Sequence, residues 1–196
     1  NNNTVHVFDM NLNSITIISY DEGGEFGKTL TSNNDFLFVG APSHNNFRGS
    51  ILCYDKDLTH IQTLTYTDAI NFGRSISVNY LNMLVVGGLN YIYEYVYDGT
   101  LFYQKQFLFL PEFTQYEIGD SGYVSENFGY QVKISASGQY IYVSNIFLEN
   151  RSGVVYVYEN LFNQRIQIQK IKNNTFIQNE QFGNKIIANN DFLLIA

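Results

Sequence analysis

The dipeptide Phe-Gly occurs four times, at Phe26-Gly27, Phe72-Gly73, Phe128-Gly129 and Phe182-Gly183, at intervals of 46, 56 and 54 residues. Spacing this regular means that one structural unit recurs, and it constrains the fold more than any other feature of the chain. The likeness runs past the dipeptide. Four residues after each Phe stands an aliphatic: Leu30, Ile76, Val132 or Ile186. A polar turn follows, and then a continuous apolar run: Phe36 to Val39, Met83 to Val86, Tyr140 to Val143, Phe192 to Ile195. Each run ends on a small residue: Gly40, Gly87, Ser144 or Ala196.

Short apolar runs between turn residues read as strands buried on both faces. A third, alternating strand closes on an aromatic and an acid, at Phe8-Asp9, Tyr54-Asp55, Tyr97-Asp98 and Tyr158-Glu159. A fourth, more polar strand follows at Ser14 to Ser19, His60 to Thr65, Leu101 to Phe107 and Arg165 to Ile171. Its polarity suits an outer edge. Each unit is therefore expected to be four antiparallel strands, A to D, with Phe-Gly opening strand A. A repeat of about 40–50 residues of this kind is a β-propeller blade. Strand A then lines the central axis, where Gly permits close backbone approach and Phe wedges between blades. A sandwich of short strands competes, but it does not require a four-fold repeated unit.

The predicted class is all-β, a propeller of four-stranded antiparallel blades. Composition agrees: 16 Tyr, 16 Phe, no Trp and only 2 Pro suit pleated surfaces, and 45% hydrophobic residues supply a core. The Tyr content is not read as a ligand signal, because an AT-rich genome enriches Tyr, Phe, Ile and Asn together. The chain divides into strands C–D of one blade (1–20), three full blades (21–66, 67–108, 109–172) and strands A–B of another (173–196). Sixteen strands make four blades' worth. The half-blades either join to close a four-bladed ring, which removes sheet edges, or the chain is a segment of a larger propeller. The stop at Ala196, where strand B lacks its neighbour, favours the segment.

The run Phe26-Gly27, Val39-Gly40-Ala41-Pro42, Gly49-Ser50-Ile51-Leu52-Cys53-Tyr54 resembles an FG-GAP repeat, the unit of integrin α-subunit propellers and related secreted and cell-surface proteins. The third unit is similar at Phe128-Gly129 and Gly153-Val154-Val155-Tyr156-Val157-Tyr158. Only the first copy keeps Gly-Ala-Pro; the second has Gly87-Gly88-Leu89 and the third Ser144-Asn145-Ile146. Many FG-GAP blades carry an Asp-rich calcium loop between strands A and B. Calcium needs six or more oxygen ligands, several of them carboxylates. None of the corresponding loops here holds more than one acid, so no calcium is expected, as in a short-loop variant. Asp35 and Asp191 are expected to be turn residues.

The net charge of −7 argues against nucleic-acid binding, which needs basic surface. No apolar run approaches the ~20 residues of a membrane span, so no membrane insertion is expected. The first residue is Asn1 rather than Met, which leaves room for a removed leader. A lone Cys53 excludes an internal disulfide and a Cys-based metal site; it reads as a small buried hydrophobe. No metal or cofactor is expected. Gly119-Asp120-Ser121-Gly122 superficially matches a serine-protease nucleophile segment, but His6, His44 and His60 show no supporting pattern. Acids at Glu112, Glu117, Asp120 and Glu126 would suit glycoside chemistry, yet they read as a solvated loop. No catalytic residue is assigned.

Alternate turns of a blade fall on opposite faces. The B-to-C and D-to-A loops are the longer ones and share a face, and long loops on a rigid scaffold are where recognition occurs. The resembled integrin family also binds ligands on this face. The candidate binding residues are His44, Phe47, Arg48, Tyr116, Asp120, Tyr123, Phe147 and Arg151. Three sequons, at Asn2, Asn150 and Asn173, are glycosylation candidates. The expected function is a non-catalytic extracellular or cell-surface scaffold for protein–protein or adhesion-type interactions, with a protein partner or larger assembly. A carbohydrate-binding or carbohydrate-active propeller is the first alternative. A structural repeat of a filament or coat is the second.

Overall fold

β-branched and aromatic runs separated by Asn, Asp and Gly build an almost purely β chain. The computed structural model describes residues 3–109, 127–174, 179–189 and 191–196, without the side chains of residues 107, 109 and 150. Strands β1 (Thr4–Phe8) and β2 (Ser14–Ser19) form a two-stranded sheet. The first full blade is β3 (Thr29–Ser32), β4 (Phe36–Ala41), β5 (Ser50–Asp55) and β6 (His60–Leu64). The second is β7 (Ser75–Val78), β8 (Met83–Gly87), β9 (Tyr91–Tyr97) and β10 (Phe102–Phe109). The third is β11 (Val132–Ile134), β12 (Tyr140–Asn145), β13 (Val154–Leu161) and β14 (Gln164–Ile171). Strands β15 (Ile186–Ala188) and β16 (Leu193–Ile195) form a second two-stranded sheet. All pairings are antiparallel between sequence neighbours. The half-blades stay separate sheets, so the closed four-bladed ring is not the arrangement adopted.

The cores lie between blades, and each holds the Phe of a Phe-Gly pair. Phe26 packs with Val5 of β1 and with Val39, Leu52 and Tyr54 of the first blade. Phe72, fully buried, joins Phe38, Ile51 and Cys53 of the first blade to Tyr93 and Tyr95 of the second. Phe128, also fully buried, joins Val85 and Ile92 of the second blade to Ile141, Val143 and Tyr156 of the third. Burying such rings supplies about 1.5–3 kcal/mol each relative to exposure. Cys53 is buried within the interface that holds Phe72.

The Phe-Gly pair does not open strand A as expected. It sits in the turn before the strand, its Gly two residues ahead of β3 and β7 and three ahead of β11 and β15, and the Gly has its own task. Gly27, Gly73, Gly129 and Gly183 all hold positive φ, +84°, +89°, +89° and +92°, which a side chain would strain. The turn lies hard against the preceding blade. A Cβ on Gly129 would stand 2.7 Å from the Gly88 carbonyl oxygen and 2.9 Å from Ile92 Cδ1. The backbone N–H of each of these glycines donates to a carbonyl within one residue of the end of strand B: Gly40, Gly87, Ser144 and Ala196, at 3.1, 3.1, 3.0 and 3.0 Å. At Gly40 and Gly87 a Cβ would collide with the Thr29 or Ser75 hydroxyl and with the Gly73 or Gly129 carbonyl of the next unit, which explains the absence of a side chain at these two positions.

Turn chemistry repeats as well. Asn33, Asn79 and Asn189, each seven residues after a Phe, accept two backbone N–H groups with Oδ1 and so close the A-to-B turns. Ser135 takes this place in the third blade, accepting the Tyr140 N–H. The turn-forming side chains are thus Asn33 and Asn189, with Asp35 and Asp191 merely inside the turns. The acid closing strand C has a parallel role: Asp9, Asp55 and Asp98 each accept two N–H groups of the C-to-D turn. The Asn13 side-chain amide, with the Asn13 N–H, holds the Asp9 carboxyl below the usual range, and the Leu101 and Thr100 N–H groups do the same for Asp98. Glu159 departs from this: β13 runs past it to Leu161.

Candidate functional site

The four A strands stand side by side, β3 against β7, β7 against β11, β11 against β15. They enclose a depression of about 660 Å³ at the long-loop end of the axis. A smaller one, about 300 Å³, lies at the A-to-B turns, among Asn33, Asn79, Lys133 and Ala188. The larger is lined by residues at fixed offsets from Phe-Gly. Lys28, Arg74 and Tyr130 come two residues after the Phe, and Thr29, Ser75, Gln131 and Lys185 come three after it. The register of the repeat therefore delivers two polar side chains from each full blade, and Lys185 from the last half-blade, to the same hollow.

Two hydroxyls in this ring are spent on holding blades together. Thr29 Oγ1 donates to the Gly73 carbonyl (2.6 Å) and Ser75 Oγ to the Gly129 carbonyl (2.8 Å). The charged groups are freer. Lys28 Nζ lies 3.3 Å from Glu25, and Ser43 Oγ donates to the other Glu25 oxygen (2.5 Å). The Ser43 hydroxyl, with Lys28, holds the Glu25 carboxyl below its ordinary value. Arg74 Nη1 donates to Asn127 Oδ1 (2.9 Å), and its guanidinium lies 5.0 Å from the Tyr130 ring centroid, a cation–π contact. Lys185 is exposed, and among the described residues its ammonium has no ion-pair partner. The hollow thus gathers three cations against one carboxylate.

The B-to-C loops of the first and third blades carry short turns, α1 (His44–Phe47), in which Asn45 and Asn46 hold positive φ, and α2 (Leu148–Arg151). They brace adjacent blades through the backbone. The Phe47 and Arg48 carbonyls accept the N–H groups of Asn71 (2.6 Å) and Phe72 (3.0 Å). The Arg151 and Ser152 carbonyls accept those of Gln181 (2.9 Å) and Phe182 (2.8 Å). The predicted candidates separate accordingly. Phe47 lines the depression, with 63% of its surface exposed. Arg48 donates to the Thr67 carbonyl (2.5 Å) beside this brace. His44 is half-buried; its Nε2 lies 2.7 Å from Glu22 and 3.3 Å from the Tyr20 hydroxyl. Burial and Glu22 push the Tyr20 hydroxyl up to about 12, and the bonds from Tyr20 and His44 hold Glu22 low. Arg151 stacks over the Phe147 ring at 5.3 Å, outside the depression.

Tyr116, Asp120, Tyr123 and Asn2 lie outside the described residues. Asn150 falls within α2, and Asn173 follows β14, its amide donating to Glu180 (2.5 Å). Sequence reasoning missed Lys28, Arg74, Tyr130 and Lys185. Their signal was a place two or three residues after each Phe, beside the A strands rather than out on the long loops. Among the described residues no group of three or more His, Cys, Asp or Glu is placed to hold a metal, and no helix is long and apolar enough to cross a membrane.

No family model and no curated protein matches the sequence. Solved structures do match. A chain of the crystal structure of the mitotic checkpoint complex superposes with a TM-score of 0.60 at 16% identity, covering 88% of this chain and 46% of that one. The Dos1 propeller superposes with a TM-score of 0.54 at 15% identity, covering 88% of this chain and 42% of that one. The chain spans less than half the length of each of these matches. Such likeness at low identity establishes the fold: three complete four-stranded blades and two half-blades of a β-propeller.

Proposed function

We propose that this chain is part of a non-catalytic propeller scaffold that holds a protein partner against its long-loop face. The observation that carries this reading is the axial depression, open at that face and ringed by side chains from successive blades. The surrounding turns are fixed to one another by backbone hydrogen bonds, so the face is preorganised for recognition. The finer reading, a cell-surface adhesion scaffold, rests on the FG-GAP-like arrangement of Phe26-Gly27 and Gly40-Ala41-Pro42. Fractionation and protease shaving of intact cells test it; purely cytosolic protein would sink it.

The test of the scaffold itself uses a photo-crosslinking amino acid in the full protein. Phe47 reports the long-loop face. Phe162, 99% exposed at a C-to-D turn, reports the opposite face. A defined partner is expected to crosslink at Phe47 and not at Phe162. The reverse pattern assigns recognition to the other face and overturns the proposal.

A further inference from the structure

We infer that the axial depression binds an acidic peptide segment of the partner, its carboxylates pairing with Arg74, Lys185 and Lys28. The inference rests on the scaffold reading and supplies the chemistry of its ligand. Its basis is a local reversal of charge. The chain has 18 Asp and Glu against 11 Lys and Arg, yet the hollow holds three cations and only Glu25 as an anion. Cations set in a concave wall focus a positive potential that an acidic segment follows inward. Glu25 offsets Lys28, leaving Arg74 and Lys185 as the principal charges.

Arg74 is prepared for this role. The bond to Asn127 and the Tyr130 ring hold its guanidinium half-buried, and among the described residues its remaining N–H groups have no hydrogen-bond partner. A planar fork held in this way suits a carboxylate. The cations also come from different blades, β3, β7 and β15 having them at or just before their first residues. Charge spread over several strands fits successive carboxylates along an extended segment better than a single compact anion. The exposed ring of Phe47 gives the segment's apolar atoms a surface to lie on.

The experiment measures fluorescence anisotropy of a labelled ten-residue Glu/Asp/Gly peptide with the full protein, beside a Gln/Asn/Gly peptide of equal length. The acidic peptide is expected to bind at least about tenfold more tightly, and to weaken as salt rises. Lys185→Gln, on an exposed side chain with no hydrogen bond or ion pair among the described residues, is expected to weaken it about fivefold, and Arg74→Gln about tenfold. Lys28→Gln is expected to have the smallest effect. Lys56→Gln, at a C-to-D turn, changes nothing. Equal binding of the neutral peptide overturns the inference, as does an affinity indifferent to both Lys185→Gln and Arg74→Gln. Inorganic phosphate displacing the peptide at matched concentration also overturns it, in favour of a phosphate site. Crosslinking at Phe47 that persists while the peptide fails leaves the scaffold standing and removes only its acidic ligand. Peptide binding that obeys Lys185 and Arg74 without any crosslink at Phe47 removes the scaffold reading instead.

Discussion

The junction between the first and second blades is sealed by rings, whereas the junction between the second and third adds a buried ion pair to its rings. In the first, Phe102 of β10 meets Phe36 and Phe38 of β4 edge-on, at 5.0 and 5.1 Å between ring centroids. In the second, Glu94 of β9 receives Arg165 of β14 through Nε (3.0 Å) and Nη2 (2.9 Å), with both side chains fully buried. Arg165 Nη1 also donates to the Gly138 and Gln139 carbonyls, and Gln106 donates to Glu94 (2.6 Å). The two positions correspond on the ladder: Cys53 stands opposite Phe38, and Glu94 opposite Val85. The repeat therefore dictates that the start of strand D meets the preceding blade but leaves the chemistry of the contact open. Apolar packing tolerates approximate replacements, whereas a buried ion pair demands both partners.

Breaking one partner should give the largest effect. Glu94→Gln leaves the Arg165 guanidinium buried without its counter-charge, and a loss of about 3–5 kcal/mol in unfolding free energy is expected from denaturant titration. Replacing both, Glu94→Leu with Arg165→Met, should restore most of that loss. A double variant as unstable as the single one would show that geometry rather than charge holds the junction. Acid should do gradually what Glu94→Gln does at once. Burial pushes the Glu94 carboxyl up, but the hydrogen bonds and charge of Arg165, with Gln106 and Lys105, outweigh it and hold the group below its ordinary value. Its contribution is therefore complete above the unfolded value of about 4.3 and disappears as pH falls through the lower folded value. The double variant should lose less stability than the natural chain over that acid range.

The aromatic junction should be more forgiving. Phe102→Leu keeps most of the buried volume, and a loss of no more than about 1.5 kcal/mol is expected. A loss equal to that of Glu94→Gln would erase the contrast between the two junctions.

This contrast also marks where the sequence was legible. Strand order, the blade period and the buried Phe were readable, because apolar runs and a fixed dipeptide are local signals. The turn-forming Asp9, Asp55 and Asp98 were visible as a recurring aromatic-acid pair, although their hydrogen bonds were not. The Glu94–Arg165 contact was invisible: 71 residues separate the partners, and neither stands in a motif. The axial cations were hidden for another reason. Lys28 and Arg74 stand at offset two, where the later units have Tyr130 and Asn184, and Lys185 stands at offset three, where the others have Thr29, Ser75 and Gln131, so no cationic position runs through the repeat. Only the packing of strands A around one axis brings them together.

The smallest expected effect concerns the inner ring, which both junctions share. Ser75 Oγ, buried, donates to the Gly129 carbonyl across the charged junction; Thr29 Oγ1 donates to Gly73 across the aromatic one. Gln131, at the same offset in the third blade, has no hydroxyl. Ser75→Ala should cost about 1 kcal/mol, since it removes one hydrogen bond and leaves a buried carbonyl without that donor. Thr29→Val, at a half-buried site that water can reach, should cost less. Thermal unfolding of the two variants side by side checks the order. If Thr29→Val proves the more costly, the aromatic junction depends on its axial hydrogen bond more than the charged one does, and its rings alone do not seal it.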